Sequence, residues 1–317
     1  MVYRVSSFYR FVPLEDPSRL RELLLQAGET FSISGTILLA PEGINATIAA
    51  SASELDAFMA VLRAQAPFED LEEKRSHASE PPFMRFKVRL KKEIVTLGEP
   101  TVNPLKSVGE YIDPAHWNAL LEDPRLFLID ARNEYEVRIG RFKGAVDPET
   151  ASFRDFPAWA RENLPDDRHQ PIAMYCTGGI RCEKASSLVR QMGYEQVYHL
   201  KGGILKYLET IPPGQSLWQG SCFVFDGRVG LEHGLRESDY ALCHGCRHPL
   251  SADDRLDPRY EAGVACPHCL DRLTEDRKAR LRERHRQVLL ARQEGRHHLG
   301  SGSPDRSSAT HEPNAAR

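Results

Sequence analysis

The stretch Met174-Tyr175-Cys176-Thr177-Gly178-Gly179-Ile180-Arg181-Cys182-Glu183-Lys184-Ala185 constrains the chain most. Pro171 to Tyr175 reads as a short buried strand, and Ser186 to Met192 as part of the following helix. The tight loop between them opens on a cysteine and holds two glycines. Backbone N–H groups and the helix dipole favour negative charge at such a place, so a thiolate forms there readily. Gly178 and Gly179 let the backbone curl its amides toward one sulfur as an anion nest, and Arg181 adds a fixed positive charge. Cys176 is therefore read as a reactive thiol rather than a buried apolar one. Cys182 is expected to pack at the helix start, with a resolving thiol as the alternative.

The surrounding pattern divides the 317 residues into several units. Residues 1–97 read β-α-β-β-α-β, the ferredoxin-like arrangement. Their strands are expected at 2–12, 31–40, 44–50 and 83–96, and their helices from Asp16 to Gln26 and from Ser53 to Ala66. Asp16 is a natural N-cap with Pro17 at the first helical position, and Gly28 is expected just past the helix end. Residues 98–122 read as a connector. Residues 123–217 alternate short apolar strands with helices, the signature of a parallel-sheet α/β domain. A cysteine-rich module is expected over 218–273, with a hairpin near Asp226-Gly227 at its start. A basic helix is expected over 274–294 and a disordered tail over 295–317.

Arg85, Lys87, Arg89 and Lys91 recur at period two and share one strand face. Such a strip is either a solvated sheet face or a set of phosphate contacts for nucleic acid. Residues 270–317 carry 11 Lys/Arg against 7 Asp/Glu, a second basic region.

The seven cysteines cannot all pair as disulfides. Cys243-x-x-Cys246 and Cys266-x-x-Cys269 stand nineteen residues apart, the spacing of a four-cysteine zinc ribbon. His244, His248 and His268 lie close enough in sequence to substitute as ligands. No apolar run approaches a membrane span and none near the start resembles a signal segment, so a cytoplasmic location is expected. No dinucleotide fingerprint, phosphate loop or clustered His/carboxylate iron site is visible, so no catalytic cofactor is evident.

Leu128-Ile129-Asp130-Ala131-Arg132, Glu136, Gly144-Ala145, the Cys176–Arg181 loop and Leu200-Lys201-Gly202-Gly203-Ile204 together resemble a rhodanese domain. The resemblance implies a persulfide-bearing Cys176, a structural Asp130, and an Arg132 that braces the active-site region. Gly140-Arg141-Phe142-Lys143 departs from the histidine-containing segment usual there. With Gly35-Thr36-Ile37-Leu38-Leu39-Ala40-Pro41-Glu42-Gly43-Ile44-Asn45 and the cysteine-rich module, residues 1–275 are similar to the rhodanese-domain tRNA uridine 5-hydroxylases. That similarity implies oxygen-dependent formation of 5-hydroxyuridine at the wobble position, with oxygen as co-substrate and structural zinc. The implied partner is the tRNA anticodon loop, with neither membrane nor DNA involved. The loop alone is equally consistent with a sulfurtransferase.

Overall fold

A computed structural model describes residues 2–294. The first sheet contains β1 (Tyr3–Phe11), β2 (Ser34–Ala40), β3 (Gly43–Ala50), β4 (Lys74–Ala78) and β5 (Phe86–Leu90), in the order β4-β1-β3-β2-β5. Helices α1 (Pro17–Thr30) and α2 (Ala52–Arg63) cover one face. Alternate strand residues Phe8, Ile37, Leu39, Ile44, Ile48 and Val88 bury there with Leu24, Phe58, Met59 and Leu62. Asp16 caps α1 by accepting from the Arg19 N–H at 2.9 Å, and Ser51 caps α2.

Two expectations change here. Gly28 is not a terminator but lies within α1, at a position where a side chain would collide with the Phe86 ring. The fourth strand of the ferredoxin-like order is Lys74–Ala78. The strand read at 83–96 is shorter, Phe86–Leu90, and adds a fifth strand parallel to β2 at the opposite edge.

The second sheet is all parallel: β6 (Glu110–Ile112), β7 (Phe127–Asp130), β9 (Ile172–Tyr175) and β10 (Val197–Leu200), in the order β6-β10-β9-β7. Glu110–Ile112, read as connector, is thus its edge strand. Ile129, Ile172 and Met174 pack with α5 (Phe156–Asn163) and α6 (Ile180–Gln191). Leu128, Ala173 and Tyr175 pack on the other side with α3 (Pro114–Leu121) and α7 (Gly203–Thr210). Burial on both faces explains the uninterrupted apolar runs in these strands. Short α4 (Glu134–Val137) follows β7, and β8 (Gly140–Phe142) pairs with β11 (Trp218–Gly220).

Beyond these lie a hairpin of β12 (Cys222–Phe223) and β13 (Gly230–Leu231), a second pair of β14 (Ala241–Leu242) and β15 (Pro249–Leu250), short α8 (Ala252–Leu256), and α9 (Glu275–Gln293). Leu281 of α9 buries against Cys243, Cys266 and Cys269. The expected tail at 295–317 lies outside the described residues.

Candidate active site

The face of the first sheet opposite its helices is not solvated. Ser7, Tyr9, Thr36, Leu38, Asn45 and Thr47 form one wall of a cavity of ≈ 530 Å³, and Cys176, Thr177 and Arg181 form another. Lys74 and Lys91 line it from the two sheet edges.

Cys176 follows β9 directly and has no exposed surface, so the cavity reaches a thiol hidden from bulk solvent. Its sulfur accepts the Gly179 N–H at 3.2 Å. Burial works to raise its pKa. The Cys182 thiol, the charge of Arg181 and the N–H groups of Cys182 and Gly179 outweigh burial and bring it down to about 5. At neutral pH the sulfur is a thiolate. Cys182 lies buried in the first turn of α6, beside Cys176. Burial and the neighbouring thiolate hold its own pKa well above the usual thiol range.

Two glycines permit this geometry. Gly179 has φ +103°, and a side chain there would strike the Tyr9 hydroxyl at 2.9 Å. Gly203 has φ +69°, and a side chain there would strike the Cys176 and Thr177 carbonyls. The absence of a side chain at Gly203 lets the Ile204 and Leu205 N–H groups at the start of α7 donate to those carbonyls at 3.0 and 3.1 Å. The Gly-Gly of the Leu200–Ile204 segment therefore fastens the loop from below.

Arg181 is held as well as holding. Glu136 grips it with two hydrogen bonds of 2.6 and 2.8 Å, and it donates to Thr177 Oγ1 at 3.2 Å. Arg132 pairs with Asp130 through bonds of 2.8 and 2.6 Å and donates to the carbonyls of Glu136 and Gly140. Asp130, Arg132 and Glu136 are fully buried, so these charges depend on one another.

The first domain reaches directly into the loop. Lys74 Nζ donates to the Gly178 carbonyl at 2.8 Å and lies 5.2 Å from the centre of the Tyr9 ring. The Tyr9 and Tyr111 hydroxyls both donate to Glu183, at 2.9 and 2.6 Å. Lys184, on α6, pairs with Glu42 and Glu93 at 2.9 and 2.6 Å. Sequence reasoning did not single out Tyr9, Lys74 or Glu183, because their roles depend on a domain contact that no local pattern encodes.

Of the basic strip, Arg85, Arg89 and Lys91 are exposed and Lys87 is half-buried. Lys87 and Arg89 lie beside Thr36 and Leu38 in register, which puts them on the cavity face of the sheet. On α9, Lys278, Arg282 and Arg286 are paired with Glu275, Glu261 and Glu283. Arg277, Arg280 and Arg284 are exposed.

The sulfur atoms of Cys243, Cys246, Cys266 and Cys269 all lie within 4.8 Å of one another, and three of the separations are 3.7–3.8 Å. Four thiolates at about 2.3 Å around a tetrahedral metal would stand about 3.8 Å apart, so the four residues present fit a metal ion. The neighbouring histidines are not members of the cluster: His248 and His268 stack on each other at 4.1 Å, and His268 meets Asp254.

Residues 3–94 match the UPF0176 acylphosphatase like domain and residues 113–210 the rhodanese-like domain, so the chain joins these two units. It is 52% identical to a tRNA uridine(34) hydroxylase of Agrobacterium fabrum over 94% of its length and 95% of the relative's. It is 55% identical to that of Deinococcus radiodurans, over 90% of this chain and 94% of the other. It is 49% identical to that of Teredinibacter turnerae, over 97% and 96%. The chain belongs to the tRNA uridine(34) hydroxylase family.

The difference in ultraviolet thiolate absorbance between wild type and Cys176→Ser should show a step centred near pH 5. Cys182→Ala should move that step upward by more than about one unit, because a donor is lost, while Cys182→Ser should nearly preserve it. An unmoved step in Cys182→Ala would remove Cys182 from the account.

Proposed function

We propose that the protein hydroxylates uridine 34 of tRNA at C5 in an oxygen-dependent reaction, with Cys176 as the essential thiol. The observation that supports this most is the position of Cys176. It is a buried thiolate opening onto a cavity walled by both domains, where simple sulfur transfer would need only one. The relatives are named tRNA uridine(34) hydroxylase, which supports uridine 34 of tRNA as the substrate.

In this reading a splayed anticodon-loop base enters the cavity, as RNA-modifying enzymes act on unstacked bases. Thiolate addition at C6 would enrich C5 in electron density. One atom of O2 would then be inserted at C5 as hydroxyl, the other leaving as water with two electrons and two protons from an external reductant. Loss of the C5 proton with expulsion of the thiolate would restore the ring double bond. The Gly179 amide, the Cys182 thiol and Arg181 hold the sulfur anionic before attack and after release. The same groups would equally hold a persulfide anion, and that favours sulfur transfer as the second reading. Asp130, Arg132 and Glu136 position the loop without touching substrate. Lys87, Arg89 and Lys91, with Arg85 at the strand start, contact phosphates of the anticodon loop. The four C-terminal cysteines hold a structural zinc, all of its positions being filled by protein.

Nucleoside mass spectrometry of tRNA from a deletion strain should show 5-hydroxyuridine restored by the wild-type gene and absent with Cys176→Ala. Restoration by the alanine variant would remove Cys176 as the essential thiol, and an unchanged level in the deletion would sink the hydroxylase reading in favour of sulfur transfer.

Replacing Lys87 and Arg89 together by alanine should weaken tRNA binding by about tenfold. It should also lower the slope of log affinity against log salt by about two, one per lost phosphate contact. An unaltered slope would return the strip to a solvated sheet face.

Metal analysis of the purified protein should find one zinc per chain. Cys266→Ser should release it and unfold the 241–273 module before the rest, as read by a lower-temperature thermal transition. Full metal content in that variant would exclude the four-cysteine site.

A further inference from the structure

Val224, Phe225 and Asp226 line the cavity above Cys176, and the same three residues line a second cavity of ≈ 240 Å³. The other walls of the second cavity are Tyr135, Phe223, Leu242, Cys246, Arg247 and His248. It lies where the rhodanese-like domain meets the cysteine-rich module.

Phe225 is the shared wall that matters. It is 63% exposed, which leaves part of the ring free to meet a ligand beside the cleft. Its ring stands edge-on to Phe223 at 5.2 Å, and Phe223 stands edge-on to Tyr135 at 5.2 Å. The Arg181 guanidinium lies 5.9 Å from the Phe225 ring centre, linking it to the group that polarises Cys176.

The turn that carries Phe225 is tied down on both sides. Asp226 accepts from the Arg228 side chain at 2.8 and 2.6 Å and from its backbone N–H at 3.0 Å. Arg228 reaches across to Ser76 Oγ at 2.6 Å, and the Gly227 N–H donates to the Pro82 carbonyl at 2.9 Å. The ring is therefore presented by a fixed support, as a stacking platform requires.

The chemistry of the second cavity is that of a base site. Its size is about eight water volumes, room for one heteroaromatic ring system and little more. Its walls are aromatic, and Arg247 stands exposed at its edge with no carboxylate paired to it among the described residues. Aromatic rings beside an unpaired cation form the pattern on which single-stranded bases stack while a phosphate is neutralised.

We propose that this second cavity receives the nucleobase next to the target uridine, stacked on Phe225 with its phosphate near Arg247. The inference rests on the tRNA reading above. A shared wall puts the two sites one nucleotide step apart, so the target base and its neighbour are splayed to either side of one ring. Phe225 then positions substrate without touching the reacting atoms.

The test uses the full-length protein and a labelled anticodon stem-loop RNA with uridine at position 34. Parallel RNAs carry an abasic nucleotide at 33 or at 35. For the wild type, one of the two abasic RNAs should bind about tenfold more weakly, the fold-change of one lost stacked base. Phe225→Ala should bind the intact RNA about tenfold more weakly and should no longer distinguish it from that abasic RNA. Phe225→Trp should restore the discrimination. The Cys176 absorbance step near pH 5 should be unchanged in both variants, which separates lost stacking from a damaged site.

If the penalties of the abasic RNA and of Phe225→Ala simply add, or if neither abasic RNA binds more weakly, the subsite is overturned while hydroxylation in cells stands. If the wild-type gene restores no 5-hydroxyuridine, the tRNA reading falls and the subsite falls with it.

Discussion

A thiolate without exposed surface is the constraint on which the site depends. Placing a charge of that size away from water costs several kcal/mol unless the protein supplies partners. Cys176 is compensated by donors from its own loop and by Arg181. Arg181 is itself nearly buried and needs Glu136, whose backbone is held by Arg132, which in turn needs Asp130 at the end of β7. Alternating charges thus run from the reactive sulfur to a strand end. Deleting one member would leave its neighbour buried and uncompensated, at about 3–5 kcal/mol.

The rhodanese-like domain does not complete its own site. Lys74 closes over the loop from β4, Tyr9 occupies the space that Gly179 leaves free, and Lys184 fastens α6 to Glu42 and Glu93. The two domains meet through polar groups with matched partners as well as through Val95 and Leu97, which pack into the second core, and the cavity lies between them. The ferredoxin-like sheet supplies its open face because its two helices cover only the other one.

Legibility in the sequence followed locality. The strands at 31–40 and 44–50, the Asp16 cap and the paired cysteines all announce themselves within a few residues, and the structure has strands within those bounds, a cap at Asp16 and the four cysteines together. Lys74–Ala78 was missed because Lys-Arg-Ser-His-Ala has no apolar alternation; it is an edge strand with one side turned to a polar cleft. The segment 83–96 reads as the fourth strand instead, since the Phe-Lys-Val-Arg-Leu pattern within it is the clearer one. Glu110–Ile112 was hidden by its length of three residues, and its pairing with β10 spans nearly ninety positions. Phe225 carried no signal beyond its neighbouring turn, because its significance lies in two cavities that form only when three parts of the chain meet.

The first sheet ends in two edge strands, β4 and β5, each paired on one side only, and an open edge is an invitation for another copy to add a strand. Lys74 and Arg75 stand on one edge, Lys87 and Arg89 on the other. Two copies brought together along the β5 edge would set Lys87 and Arg89 of one against those of the other. Cations that lie on the cavity face of the sheet therefore also work against strand addition at that edge.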